Sequence, residues 1–277
     1  MPDTSVIISV YNKIRELELS LTALSVQSYK NFEVIIAEDG RNEEVKSLVN
    51  GLKSKELFPV RHLTQDDRGF RKNRILNESV RNAGSDYLIF FDGDCIPHSD
   101  FVKAHFENRK ENTVLCGRRV NLTKSMSEKM TKERILNLDY QKTGLKEILF
   151  SSLNKDKKDF SFNAEEAFIF RNKFLRSLLT NKDEHILGCN FSLQKSLLEK
   201  INGFDENYEG PGLGEDSDIE FRLRLINAEF KSVRNLAIQY HMFHPKTVEE
   251  ASNMDYFNKV KERKEFYCTN GLNKKTV

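Results

Sequence analysis

The chain lacks several features that would assign it to a well-defined class. No window approaches the ~20 apolar residues that a membrane-spanning helix needs. Only four cysteines occur among 277 residues. None of them forms a CxxC pair or a zinc-binding spacing, so four reduced thiols are expected. No basic segment precedes the short apolar stretch at the N-terminus, so no signal peptide is predicted. We therefore expect a cytoplasmic protein, and docking on the inner face of the cell membrane stays open.

The chain also lacks an excess of charge of either sign. It has 44 basic and 42 acidic residues, a net charge of +2. A dedicated nucleic-acid-binding protein would need a concentrated basic face, so no nucleic-acid partner is expected. The length suits one large domain with a substantial core. The oligomeric state stays open.

The first half of the chain alternates short β-branched runs with amphipathic segments. We predict buried strands over Ser5–Val10, Phe32–Ala37, Val60–Leu63 and Tyr87–Phe91. Helices are predicted between them, the first capped by Asn12 and the third spanning Arg71–Ala83. This order predicts an α/β protein with a mostly parallel, Rossmann-like sheet flanked by helices. Ligands bind such sheets at the carboxyl ends of the strands.

The second half has a weaker pattern. We predict strands over Val114–Val120, Ile186–Leu193 and Leu236–Tyr240. Helices are predicted over Glu128–Leu138, Phe168–Leu179, Asp216–Ile226 and Val248–Tyr267. A polar segment lies around Asn154–Asp159, and no strand pattern is visible between residues 123 and 185.

Asp92, Gly93 and Asp94 directly follow the fourth predicted strand. Two carboxylates that flank a glycine at the end of a buried strand suit a hard divalent cation such as Mg²⁺ or Mn²⁺. The glycine allows the backbone to turn so that both side chains can face one site. An ordinary acidic turn is the alternative interpretation.

A second acidic group, Glu215, Asp216 and Asp218, follows Gly214 and opens a predicted helix. Carboxylates at a helix N-terminus are stabilised by the helix dipole, so a capping role is available to each of them. Three acids within four residues exceed what capping needs. One of them could be the general base that takes a proton from an incoming hydroxyl.

His241 and His244 lie at the end of the last predicted strand. A single histidine is usually structural. Two of the chain's six histidines within four residues also suit a metal or phosphate site.

Together these segments resemble family 2 glycosyltransferases of the GT-A fold. The resemblance rests on SVIISVYNKIRELELSLTALSVQSYKNFEVIIAEDG and on QDDRGFRKNRILNESVRNAGSDYLIFFDGDCIPHSDFV. Further on, GCNFSL, NGFDENYEGPGLGEDSDIEFRLRL and AIQYHMFHP resemble the half shared by chondroitin-polymerase-type and β-1,4-galactosyltransferase-type enzymes. The resemblance covers roughly three quarters of the chain, and its motifs stand in the expected order.

The resemblance implies roles at the metal site and at the acceptor side. Asp92 and Asp94 would form the pair that holds Mn²⁺ on the donor diphosphate, with Asp94 as the direct ligand. His241 would complete the metal site, with His244 as the alternative ligand. On the acceptor side, Asp216 would be the catalytic base, and the residues that hold the base or the acceptor would be Glu215, Asp218 and Gly214.

The nucleoside would be bound by residues of the first half. Asp39 matches the acid that contacts uracil, and Ser9, Tyr11 and Asp67 would line the nucleoside pocket. The family's Arg-Asn pair appears as Leu76-Asn77, so Arg71 or Arg74 would supply the positive charge. The nucleotide- and donor-binding set is therefore Ser9, Tyr11, Asp39, Asp67, Arg71, Arg74, Asp92 and Gly93.

One departure concerns the family's Trp-Gly-Gly, which is Gly212-Leu213-Gly214 here. The chain has no tryptophan, so that loop lacks an aromatic platform for a sugar. Tyr208 is a candidate replacement. This departure affects the identity of the substrates more than the class of reaction.

The resemblance implies an inverting, metal-dependent transferase with a UDP-sugar donor and a glycan or lipid-linked glycan acceptor. Four regions are expected: a nucleotide-sugar-binding half (1–122), a helical acceptor-side insertion (123–185), a catalytic half (186–247) and a C-terminal helix (248–277). A nucleotidyltransferase is one alternative, although the Gly-rich basic loop after the first strand is missing. A non-catalytic or scaffold protein of the same fold is the other.

Overall fold

The computed structural model describes residues 1–153, 163–172, 184–212, 214–245 and 251–274. Its strands are β1 (Thr4–Val10), β2 (Phe32–Glu38), β3 (Val60–Thr64), β4 (Tyr87–Asp92), β5 (Cys95–Pro97), β6 (Thr113–Cys116), β7 (Val120–Asn121), β8 (Phe191–Gln194), β9 (Glu229–Ser232) and β10 (Gln239–His241). Its helices are α1 (Ile14–Ser25), α2 (Glu43–Lys53), α3 (Lys72–Asn82), α4 (Phe101–Asn108), α5 (Lys124–Glu128), α6 (Lys132–Leu136), α7 (Asp139–Leu153), α8 (Lys195–Ile201), α9 (Asp216–Leu225) and α10 (Ala251–Arg263). A short 3₁₀ helix spans Ala164–Ala167.

Seven strands form a large, mostly parallel sheet in the order β3-β2-β1-β4-β8-β6-β9. Strands β1 to β4 are parallel, and β8 runs antiparallel between β4 and β6. The prediction of a helix-flanked α/β sheet is therefore confirmed. All seven residues of β1 are buried, as are all seven of β2. Such runs are apolar because helices cover both faces of the sheet.

Successive residues of β1 belong to different cores, because side chains alternate across a sheet. Val6 and Ile8 pack into a cluster with apolar residues of α1, α2 and α4. Ile7 packs into a cluster with apolar residues of α3, α8 and α9. The sheet thus separates two hydrophobic layers, and its carboxyl-end edge stays free for polar groups.

A second sheet has three strands in the order β5-β10-β7. Strand β10 pairs antiparallel with β5, so that His241 lies opposite Cys95, and parallel with β7. Two main-chain bonds extend this arrangement: Met242 N donates to Asp94 O at 2.9 Å and Leu122 N donates to His241 O at 2.9 Å. This small sheet packs with α5, α6 and α7 in a third apolar cluster.

Several predictions about local structure were wrong. The segment predicted as the strand Leu236–Tyr240 becomes a strand only at Gln239. Asn12 does not cap α1: it has a φ of 49°, and Lys13 is the N-cap residue, with no side-chain bond. The predicted strand Val114–Val120 is divided into β6 and β7, which belong to different sheets and are separated by residues 117–119. The segment Ile186–Leu193 becomes a strand only at Phe191. The predicted helix Glu128–Leu138 is interrupted before Thr131, which caps a new helix through Arg134 N.

The predicted helix Phe168–Leu179 is not helical over Phe168–Asn172. Its remaining residues lie mostly outside the described residues, as do the polar segment around Asn154–Asp159 and the start of the predicted helix Val248–Tyr267, whose helical part is α10. The division into four regions stays a prediction. All four cysteines are buried and free.

None of the helices in the described ranges combines the length and the apolar character needed to cross a membrane.

Phe191 of β8 offers a test of the core. Its ring stacks on that of Phe90 with centroids 4.7 Å apart, and both side chains are fully buried. We expect Phe191→Ala to lower the free energy of unfolding by about 3–5 kcal/mol, because it removes the ring and leaves a cavity. Denaturant titration would measure the change. Phe266→Ala, at a position 47% exposed, is the control, and an equal loss in both variants would contradict the assignment.

Candidate active site

A cavity of about 990 Å³ opens at the carboxyl ends of β1, β2 and β4. The position follows from the fold, because the loops after parallel strands diverge there and leave a crevice. Ten of the predicted site residues line it: Ser9, Tyr11, Asp39, Asp92, Gly93, Asp94, Glu215, Asp216, His241 and His244. Five predicted site residues are not in its wall: Asp67, Arg71, Arg74, Gly214 and Asp218.

Asp94, His241 and His244 form a cluster at one end of the cavity. One potential ligand atom from each lies within 4.8 Å of the others. Oδ2 of Asp94 is 3.6 Å from Nε2 of His241 and 3.4 Å from Nε2 of His244. The two imidazole nitrogens are 3.1 Å apart. One carboxylate oxygen and two imidazole nitrogens that converge on one point are a donor set suited to Mn²⁺ or a similar divalent cation.

The charges around this cluster favour ionised Asp94. Burial alone would raise the pKa of its carboxyl, but His241 and Lys13 outweigh burial and lower the pKa below its usual range. Lys13 Nζ lies 2.6 Å from Oδ2. Burial lowers the pKa of His241, against the opposing effect of Asp94. A carboxylate beside a neutral imidazole is the protonation state in which both groups can bind a cation.

Asp92 and Glu215 share one partly buried cation, Lys72. Lys72 Nζ lies 2.7 Å from Asp92 Oδ1 and 2.8 Å from Glu215 Oε2. Ser9 Oγ also donates to Asp92 Oδ1, at 2.6 Å. Lys72 can sit between these carboxylates because it is the first residue of α3, beside the ends of β1 and β4.

The two carboxyl groups respond differently to Lys72. Burial raises and Lys72 lowers the pKa of Asp92, and the net direction is down. Burial raises the pKa of Glu215 to about 7. Lys72 opposes this rise, but the negative charge of Asp92 partly cancels the effect of Lys72. One ammonium cannot neutralise two partly buried carboxylates, so the second keeps its proton to a higher pH.

Asp216 stands in the first turn of α9 with its carboxylate at the cavity. Its Oδ1 accepts from Ser217 N at 2.7 Å, and its Oδ2 accepts from Gly188 N at 3.2 Å. A Cβ at Gly188 would lie 2.7 Å from Glu215 Oε1, so a larger residue there would displace the end of the Glu215 side chain. Asp216 forms no ion pair among the described residues, so its oxygens retain capacity for a further hydrogen bond.

Asp39, just after β2, lines the cavity and is held in place by two hydrogen bonds. Its Oδ1 accepts from Gln65 Nε2 at 2.6 Å, and its Oδ2 accepts from Arg71 N at 2.7 Å. Arg71 thus contacts the site through its backbone N–H, whereas its guanidinium donates a hydrogen bond to Asp66 O. Asp67 is behind Tyr11 and accepts from its hydroxyl at 3.0 Å, which raises the pKa of Tyr11.

Three predicted residues have other surroundings. Asp218 is fully buried, and its Oδ2 lies 2.5 Å from Arg222 Nη2. Because its Oδ1 accepts from Tyr208 Oη, it holds α9 rather than a ligand. Gly214 has a φ of +125°, and a Cβ there would collide with Tyr208 at 2.2 Å. Arg74 lines a separate cavity with His62 and Glu78, so it does not supply charge to the site.

The cations of the site were missed by sequence reasoning. Lys13, Lys72 and Arg119 all line the cavity. Lys13 directly precedes α1 and Lys72 begins α3. Their positions at the starts of helices do not show which way the side chains turn, so the sequence contained no sufficient signal for these two. Nothing in the local sequence marks Arg119, whose Nη1 donates to Cys189 Sγ at 3.5 Å.

Comparisons with known proteins identify the family of this chain. The fold is that of the GT-A glycosyltransferases. The chain belongs to glycosyl transferase family 2, whose model matches residues 5–201. A second model, the N-terminal domain of galactosyltransferase, matches residues 177–245. The resemblance described above is thereby confirmed.

Curated relatives include the chondroitin synthase of Escherichia coli, 27% identical over 87% of this chain and 35% of that protein. The chondroitin synthase of Pasteurella multocida (strain Pm70) is 26% identical over 94% of this chain and 27% of that protein. The uncharacterized glycosyltransferase YfnE of Bacillus subtilis (strain 168) is 27% identical over 90% of this chain and 67% of that protein. The chain thus spans about a third of the length of the chondroitin synthases.

Solved structures show the same fold at low identity. The mannosyltransferase PcManGT of Pyrobaculum calidifontis, in complex with GDP-Man and Mn²⁺, superimposes with a TM-score of 0.54 and 14% identity, covering 95% of this chain and 61% of that one. S. aureus TarS in complex with UDP gives a TM-score of 0.55 and 17% identity, covering 88% and 61%.

The raised pKa of Glu215 predicts a pH-dependent stability. The folded state keeps this proton up to about pH 7, whereas the unfolded chain loses it near pH 4.5. The stabilisation is therefore present below pH 4.5 and is lost as the pH rises towards 7, by up to about 3 kcal/mol. Denaturant titrations of wild type and Glu215→Gln across this range would measure it. A difference between the two proteins that stays constant with pH would contradict the assignment.

Proposed function

We propose that this protein is a metal-dependent, inverting glycosyltransferase. It would transfer a hexose or N-acetylhexosamine from a UDP-sugar to a hydroxyl of a glycan acceptor. One observation carries the proposal: a single cavity holds the Asp94–His241–His244 cluster at one end and a carboxylate without an ion pair among the described residues, Asp216, in another wall. A metal-bound leaving group and a base are the two elements that a direct displacement by a hydroxyl needs.

The donor site would occupy the ends of β1, β2 and β4. The carboxylate of Asp39 is oriented by Gln65 and by the backbone of Arg71, and it retains lone pairs for the uracil N–H. Ser9 and Tyr11 line the same part of the cavity. The TarS structures with UDP and UDP-GlcNAc support a nucleotide sugar as the donor, and the PcManGT complex contains GDP-Man.

The metal would be held by Asp94 with His241 and His244, and Asp92 would stand next to it. The chemistry that a bound Mn²⁺ supplies is stabilisation of the negative charge that develops on the departing diphosphate. The lowered pKa of Asp94 keeps its carboxylate ionised and therefore able to bind the cation. Lys13 and Lys72 hold the two carboxylates in fixed positions, so neither has to reorganise during the reaction.

Asp216 would accept the proton of the attacking hydroxyl. Two backbone amides, those of Ser217 and Gly188, fix its orientation. Glu215 is less available for this role, because its Oε2 is bound to Lys72. A single displacement on the face opposite the leaving diphosphate inverts the configuration at the anomeric carbon.

The acceptor would be a glycan or a lipid-linked glycan in polysaccharide, lipopolysaccharide or glycoconjugate synthesis. Two chondroitin synthases among the relatives support a polysaccharide hydroxyl. The chain covers only part of those proteins, so the two substrates need direct measurement. A cytoplasmic enzyme with peripheral membrane contact is consistent with such an acceptor.

A thermal-shift screen of nucleotide sugars with and without Mn²⁺ tests this proposal. A ligand that binds only the folded state stabilises it, by about 2.7 kcal/mol at a hundredfold excess over its dissociation constant. We expect UDP-sugars to raise the melting temperature when Mn²⁺ is present. No Mn²⁺-dependent response to any UDP-sugar would refute the proposal.

Asp94→Ala tests the metal site. We expect it to lower Mn²⁺-dependent UDP binding at least about tenfold, because ligand or adjacent-shell changes typically cost 10–100-fold in metal affinity. Isothermal titration with UDP and Mn²⁺ would measure the loss. Asp66→Ala, at a half-exposed surface carboxylate, is the matched control. Tight Mn²⁺-dependent UDP binding by Asp94→Ala would remove this residue from the site.

Asp216→Asn tests the base. We expect the turnover number to fall by about 10²–10⁴-fold, which is the usual contribution of a positioned base. Binding of UDP with Mn²⁺ should stay close to that of wild type, because Asp216 does not contact the metal cluster. Steady-state transfer assays would measure the effect, with Asp86→Asn as the surface control. Near-wild-type turnover in Asp216→Asn would show that another residue, or none, acts as the base.

A further inference from the structure

Two exposed large apolar side chains of the described structure line this same cavity. Phe70, in the loop before α3, is 42% exposed, and Met254, on α10, is 46% exposed. Pro211, in the loop before α9, lines the cavity with them. We call Phe70, Pro211 and Met254 the apolar rim. Single exposed apolar residues are common on protein surfaces, but three that converge on one cavity from separate segments are informative.

The backbone of Gly210 joins the segments that carry the rim. Its N–H donates to the carbonyl of Phe70 at 3.3 Å, and its carbonyl accepts from Asn253 Nδ2 at 3.2 Å. Asn253 is buried and directly precedes Met254. Gly210 itself has a φ of +92°, a conformation that favours glycine. The segments that carry the three rim residues are therefore held together by hydrogen bonds to the backbone of Gly210.

Phe70 is also fixed from the other side. Gly69, with a φ of +84°, turns the chain just before it. The next residue, Arg71, donates its N–H to Asp39 at 2.7 Å and accepts at its carbonyl from Gln65 at 3.0 Å. The exposed ring is thus presented by a backbone that is held on both sides, which limits the ordering cost when a ligand stacks on it.

The surroundings of the rim define the chemistry of its ligand. The same cavity carries the carboxylates of Glu215 and Asp216. A pyranose ring has an apolar C–H face and a polar edge of hydroxyls, so it matches an aromatic surface that faces hydrogen-bond acceptors. The chain has no tryptophan, and Tyr208 is only 4% exposed and lies outside the cavity wall. Tyr208 is therefore not the sugar platform.

We propose that the apolar rim is the stacking subsite for the pyranose ring of the acceptor, with Phe70 as its platform. The proposal rests on the proposed function, because it takes the acceptor to be a glycan. It adds a specificity-determining residue and gives α10 a part in substrate binding.

The absence of tryptophan supplies a direct test. Phe70→Trp introduces a single indole at the platform, and Phe266→Trp introduces one at a 47% exposed position outside the cavity. Each variant is titrated with methyl β-D-glucopyranoside, methyl β-D-galactopyranoside and their 2-acetamido counterparts, with and without UDP and Mn²⁺. We expect at least one glycoside to shift the emission of Phe70→Trp and none to shift that of Phe266→Trp.

Other responses would overturn the subsite. A change in Phe70→Trp with UDP but with no glycoside would make Phe70 a platform for the uracil. A change with octyl but not methyl glucoside, below the micelle concentration, would indicate a lipid chain as the ligand. No response to any ligand, or the same response in both variants, would also refute it. Mn²⁺-dependent UDP binding by the wild-type protein is measured separately. A failure of the proposed function can therefore be distinguished from a failure of the stacking subsite.

A second variant, Phe70→Ala, tests the subsite even if the indole of Phe70→Trp alters the local packing. Phe70→Ala should raise the dissociation constant of the responding glycoside, measured by NMR titration, by about three- to tenfold, the range of an aromatic stacking contact. Phe70→Tyr should restore the affinity. The dissociation constant of UDP with Mn²⁺ should stay within about twofold of wild type. A loss of UDP affinity that parallels the loss of glycoside affinity would overturn the assignment.

Discussion

Lys72 lies between two partly buried carboxylates, Asp92 at the end of β4 and Glu215 just before α9. This one ammonium joins the wall expected to bind the donor to the wall expected to bind the acceptor. It cannot neutralise both acids, and Asp94 is matched separately by Lys13. The balance of these few charges decides which groups are ionised, and therefore where a divalent cation and an acceptor proton can be received. The remainder of the fold holds these charges at their distances.

The first four strands could be predicted because the physical cause is local. A strand covered by helices on both faces must be apolar throughout, and β1 and β2 are fully buried. The break between β6 and β7 has a tertiary cause instead. A Cβ at Gly117 would lie 2.1 Å from Asn190 Oδ1, and Asn190 Nδ2 bonds to Arg118 O and Ala237 O. Asn190 lies more than 70 positions away in the sequence, so the residues around Gly117 alone could not predict the break.

The acidic half of the site was predictable and the basic half was not. Acids that directly follow buried strands are unusual enough to stand out, and Asp39, Asp92 and Asp94 all line the cavity. Lysines and arginines occur on most surfaces, and their long side chains reach groups far from their own backbone. Only the packing shows that Lys72 turns inward. The same limit explains Arg74, whose spacing along α3 suggested the site but whose side chain lines a different cavity.

The pairing of β10 with β5 has a consequence for how the site is assembled. His241 lies opposite Cys95, the neighbour of Asp94, only in the observed register. A slip of one residue would send His241 to the other face of the small sheet and leave Asp94 without its imidazoles. Cation binding at the proposed site would therefore depend on strand alignment: a chain that has folded with β10 displaced would keep its secondary structure but lose the proximity of Asp94 and His241.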